Sequence, residues 1–76
     1  MNIQVSPGVF ETLTAQALVS RYPDDRRFLL EIRGNYQTAT YRFEHDLKEK
    51  ESRFYEAAVH LITRKISRIT SSTEIS

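Results

Sequence analysis

The stretch from Arg27 to Glu44 limits the folding options of this chain most, because apolar and polar residues alternate there on either side of Gly34-Asn35. Alternation at period two is the pattern of a strand with one buried face. Gly34 offers the positive φ that a two-residue hairpin loop needs at its first central position, and Gly-Asn is one of the dipeptides that signal such a loop. Pairing Arg33 with Tyr36 sets Ile32 opposite Gln37, Leu30 opposite Ala39 and Phe28 opposite Tyr41. Apolar side chains then meet on one face, so the spacing predicts an antiparallel hairpin over 27–44.

The flanking segments predict one further strand and two helices. Ile3 and Val5 alternate with Asn2 and Gln4, which reads as a short strand. Ser6 followed by Pro7 is a helix start, since the serine oxygen accepts from an orphan backbone N–H and proline has no donor to lose at the first helical position. That helix is predicted to run to about Arg21, with Phe10, Leu13, Ala17 and Leu18 on its core side and Val9 alongside. Pro23 and Asp24-Asp25 then mark a turn. After the hairpin, Asp46 with Glu49 three residues on forms a capping-box-like start to a long second helix. Its apolar stripe, from Leu47 through Phe54, Ala58 and Ile62 to Ile69, is widened by Tyr55, Val59 and Ile66. Residues 70–76 are rich in Ser and Thr without periodicity and are expected to be a disordered tail, which leaves 1–69 as a single domain.

These elements predict an α+β fold, a two-layer β-α-β-β-α sandwich whose three-stranded sheet carries both helices on one face. A chain of 76 residues buries only about 60–65% of the surface its unfolded form exposes, so self-association is an economical route to stability. Eleven Lys and Arg against ten Asp and Glu leave a formal charge of +1, far from the basic balance of a duplex-coating protein. The absence of cysteine excludes disulfides, thiol catalysis and cysteine-ligated zinc. No apolar run is long enough to span a membrane, and Asn2 and Gln4 interrupt the start that a signal peptide would need; a cytoplasmic setting without membrane contact is expected.

The open sheet face is expected to present Arg27, Leu29, Arg33, Tyr36 and Arg42 to a partner, since arginine and tyrosine are enriched at binding hot spots. A second basic group, Arg64, Lys65 and Arg68, is the alternative, as a phosphate-contacting patch for RNA or DNA. Catalysis has no convergent set of residues behind it. His45 follows the second hairpin strand, where neighbouring side chains diverge, and His60 lies one turn from both Glu56 and Arg64 on a polar helix side. Only Gly8 and Gly34 are available for a phosphate loop, so no cofactor is expected.

The run Phe54-Tyr55-Glu56-Ala57-Ala58-Val59, followed by Leu61-Ile62 and Arg64-Lys65, resembles the start of the final helix in ribosome-hibernation factors, whose β-α-β-β-β-α domain sits on the small ribosomal subunit. It covers under a quarter of the chain. The β-β-α ending is also similar to double-stranded-RNA-binding domains, with their basic helix start diluted here by Glu49 and Glu51. Neither resemblance transfers a functional residue. The expected function is that of a non-enzymatic interaction or regulatory protein that binds another protein, possible self-association included, through the open sheet face and the long helix.

Overall fold

A computed structural model describes residues 9–75, with side chains described to residue 71. The described residues form three helices: α1 (Val9–Val19), α2 (Arg26–His45) and α3 (Glu49–Ile75). The α+β sandwich expected from the alternation does not form, for there is no strand among the described residues, and the segment read as a hairpin is the single helix α2. The strand expected at Ile3 and Val5 and the helix start at Ser6-Pro7 lie outside the described residues.

The segment 26–45 is helical because its apolar residues satisfy two periods at once. Leu29, Ile32, Tyr36, Ala39 and Phe43 recur at alternating steps of three and four, and all five are buried or half-buried, with Arg33 and Thr40 half-buried beside them. On α3, Tyr55, Ala58, Ile62, Lys65 and Ile69 repeat the same steps. Two matching stripes give a continuous contact between antiparallel helices, whereas a small sheet would have left part of the long helix uncovered. Asp25 makes the start sharp. Its backbone is extended and its side-chain oxygen accepts from Arg27 N at 3.0 Å and Phe28 N at 3.3 Å. The threonines that raise strand propensity are absorbed in the same way on all three helices: Thr14, Thr38, Thr40 and Thr63 each donate to the carbonyl one turn back.

A three-residue turn, 46–48, joins α2 to α3. Lys48 N donates to Phe43 O at 2.9 Å and Leu47 N to Glu44 O at 3.1 Å, the bond pair of a Schellman motif. Leu47 holds the left-handed position, with φ of 60°. Asp46, expected to cap the start of α3, instead closes α2, and Lys48 O accepts the first bond of α3 from Ser52 N. At its other end α3 continues to Ile75, through most of the segment expected to be a tail.

α3 is the central element. Arg33 reaches Thr63 and Tyr36 packs on Tyr55, so α2 runs antiparallel to α3. Phe10 and Thr14 share a groove with Lys50 and Phe54, and Val19 and Ser20 share one with Leu61 and Arg64, so α1 runs parallel to α3 on its other flank. α1 and α2 do not pack against each other. The core is accordingly small: Ala15, Val19, Leu29, Ala58, Ile62 and Ile66 are its buried apolar side chains.

Gly34 tests the helix against the hairpin by the sign of one substitution. A Cβ added there meets nothing within 4 Å, so Gly34→Ala is expected to stabilise the protein by about 0.5–1 kcal/mol, as alanine does for glycine in a helix interior. A lower denaturant midpoint in the variant would mean that Gly34 uses its conformational freedom and that 26–45 is not one helix.

Candidate functional site

Lys65 ties α3 to the end of α1. Only 8% exposed, it projects from α3 to the end of α1, where its ammonium donates to Val19 O at 3.1 Å and Tyr22 O at 2.6 Å. Those carbonyls belong to the last turn of α1 and to the residue before Pro23, where the helical ladder has run out. Asp24 Oδ1 lies 3.7 Å from the same nitrogen. Lys65 therefore caps α1 from another helix and sets a positive charge at the negative end of its dipole.

From the same turn a line of aromatic rings runs through the structure. Tyr22 packs edge-on against Phe28 and shares a 2.5 Å hydroxyl–hydroxyl hydrogen bond with Tyr36. Tyr36 meets Tyr55 edge-on, and Tyr55 in turn stacks with Phe43 and meets Phe54. Burial pushes the Tyr22 hydroxyl well above the ordinary tyrosine range, and its bond to Tyr36 adds to the shift, so Tyr22 stays neutral at any physiological pH. Six of the eight aromatic residues are spent in this line. The two left over, Phe10 and Tyr41, are 70% and 78% exposed.

The residues expected on an open sheet face are scattered by the helix. Leu29 is fully buried, and Tyr36 is committed to the aromatic line. Arg33 is half-buried and donates to Thr63 Oγ1 at 3.3 Å, while Arg27 and Arg42 are exposed. In the second basic group Lys65 is the buried cap, whereas Arg64 and Arg68 stand one turn apart on an open groove with Gln16 and Ser20 across from them. His45 is exposed beside Asp46 at 3.4 Å, His60 is exposed on α3, and no group of three metal-ligating side chains occurs among the described residues. No described helix is long and apolar enough to cross a membrane.

A different surface has the properties expected of a docking face. On the wheel of α1, Ala15, Leu18 and Val19 turn inward with Glu11, whose Oε2 is sealed from solvent with no hydrogen-bond partner among the described residues. Val9, Phe10, Leu13 and Ala17 fall within roughly 100° of arc turned away from Ala15, with Phe10 at its edge beside the groove it shares with Lys50, Glu51 and Phe54 of α3. All four are exposed, Phe10 at 70% and Leu13 at 59%, and no charged residue lies between them. Sequence reasoning assigned Phe10 and Leu13 to the core. What signals otherwise is that α1 is apolar nearly all round, whereas a helix with one covered face needs only one stripe.

No family model, curated protein or solved structure matches the chain. The strands that both sequence resemblances imply are also missing from the described residues.

Replacing Lys65 isolates the cap. Lys65→Met keeps the stem's apolar contacts but takes the ammonium donor from Tyr22 O and leaves Val19 O with the Tyr22 N–H alone, and is expected to lower stability by about 1–3 kcal/mol, read from urea midpoints. A midpoint within error of the parent protein would show that water serves those carbonyls equally well.

Proposed function

We propose that this chain is a non-enzymatic interaction module that docks a protein through the outer face of α1. The observation that carries the reading is the exposed stripe of Val9, Phe10, Leu13 and Ala17, with no charged residue of α1 within it, in a protein whose other rings, Tyr41 apart, each pack against another ring. Isolated exposed apolar residues are ordinary on a soluble protein, but a contiguous stripe on one helix face is the form that helix-mediated recognition takes. The sheet face and its arginines have no place in this reading, since that face does not exist. A cytoplasmic setting belongs to the same proposal.

A benzoylphenylalanine placed at position 10 tests the docking face in cells. It is expected to yield an adduct of defined mass under light, while the same group at exposed Asn35 yields none. Adding Leu13→Glu is expected to abolish the adduct while changing stability by no more than about 0.5 kcal/mol. Loss of the fold in that variant would place the stripe in the core and end the proposal.

Arg64 and Arg68 support a second reading, nucleic-acid binding, because neither has an acidic partner among the described residues and both line one groove. On this reading, affinity for a single-stranded oligonucleotide falls steeply with salt, and changing both arginines to glutamine lowers the log–log salt slope by about 2. An unchanged slope would remove the pair from consideration.

A further inference from the structure

Resting on the docking role just proposed for α1, we infer that its partner is a second copy of this chain, bound with the two α1 helices antiparallel about a two-fold axis near Leu13. The stripe is self-complementary along its length. Phe10 and Ala17 lie roughly 4.5 and 6 Å along the helix axis on either side of Leu13, at 1.5 Å per residue. A two-fold there sets Leu13 beside Leu13 of the partner subunit and lays each Phe10 ring over the small side chain of Ala17 on the opposite helix. An interface of this symmetry brings each surface against itself, so any charge near the axis meets its own kind. No residue of α1 does so here, because its only charged residue, Glu11, points to the inner side, and the charges nearest the stripe, Lys50 and Glu51 of α3, stand beside Phe10 and are of opposite sign.

Charge beyond the stripe selects the same arrangement. The end of the molecule that holds the α1–α2 connection carries exposed Arg21, Arg26, Arg27, Arg64 and Arg68 against Asp24 and Asp25. The opposite end, with the α2–α3 turn, carries Glu11, Glu44, Asp46, Glu49, Glu51 and Glu56 against Arg42, Lys48, Lys50 and Arg53. Because α1 runs from the acidic end to the basic one, an antiparallel pair of α1 helices lays the basic end of each copy beside the acidic end of the other. The helix dipoles oppose in the same sense. A parallel pairing would set like ends together.

Area sets the strength. Val9, Phe10 and Leu13, 41%, 70% and 59% exposed, cover well under the about 800 Å² per partner of a standard interface, so the dimer is weak and reversible.

Light scattering and sedimentation of the whole chain from about 1 to 500 μM bracket such an equilibrium. The mass is expected to rise from 8.9 kDa towards twice that value, with modest weakening in high salt. Leu13→Glu and Leu13→Lys are each expected to weaken the dimer by about 100-fold or more while keeping the helical circular dichroism, and mixing the two restores it. As the chain has no cysteine, Leu13→Cys adds a single thiol, which is expected to form the inter-chain disulfide faster than Tyr41→Cys under mild oxidation. A folded protein that stays monomeric up to the highest concentration overturns the inference, and so does a dimer that Leu13→Glu leaves intact or a Leu13→Cys disulfide no faster than the control. Each of those three results leaves the photo-crosslink at position 10 free to report another protein. Only collapse of the fold in the stripe variants removes both proposals together.

Discussion

The ammonium of Lys65 is the contact on which the arrangement of helices depends. α1 has little else to hold it: it sets Ala15 and Val19 fully against α3, makes no packed pair with α2, and encloses an unpartnered carboxylate oxygen of Glu11. Burial of two small side chains offers a few kcal/mol at best, against the entropy of ordering eleven helical residues. Two charge-assisted bonds, one to Tyr22 O and one to Val19 O, which also accepts from Tyr22 N, give α1 both a fixed end and a fixed distance from α3. The same bonds hold Tyr22, whose ring starts the aromatic line through α2 and α3. One side chain thus ties the least-buried helix to the best-packed pair.

How far the sequence could be read follows from individual residues. The long second helix was legible because its stripe runs over several turns, and Ala58, Ile62 and Ile66 are buried as that stripe requires. The hairpin reading failed because Phe28, Leu30, Ile32, Ala39, Tyr41 and Phe43 fit period two, while Leu29, Ile32, Tyr36, Ala39 and Phe43 fit a helix. The two sets share Ile32, Ala39 and Phe43, so counting apolar residues does not separate them. What does is the partner stripe on α3 at the same spacing, a contact between segments far apart in the chain. Gly34 tipped the local reading the wrong way, since a glycine within a helix and a glycine in a turn look alike in one sequence. Asp25 was the better local clue, an N-cap directly before the first turn of α2.

The candidate surface was hidden for a related reason. A stripe of Phe10, Leu13 and Ala17 looks like a core stripe until the rest of the core is known, and it was the burial of Ala15 and Val19 that turned those residues outward. The basic group at 64–68 was split by the same geometry. Lys65 lies between two exposed arginines in sequence, but the turn of the helix carries it inward to α1. Nothing in a list of basic residues separates a lysine that serves carbonyls from an arginine that is free to meet a phosphate.

Leu47 breaks a local rule where the other exposed residues of the turn do not. A left-handed backbone costs a leucine roughly 1–2 kcal/mol that glycine would avoid, and its side chain is 86% exposed, so neither conformation nor burial explains the choice. Residues that break local rules without compensation concentrate at functional positions. Leu47 lies at the acidic end, which an antiparallel pair brings against the arginines of the second copy. Apolar reach beside complementary charge at both ends would widen an interface whose central stripe is small. The net charge of +1 is consistent with such a surface, because it is the sum of two ends of opposite sign and says little about either.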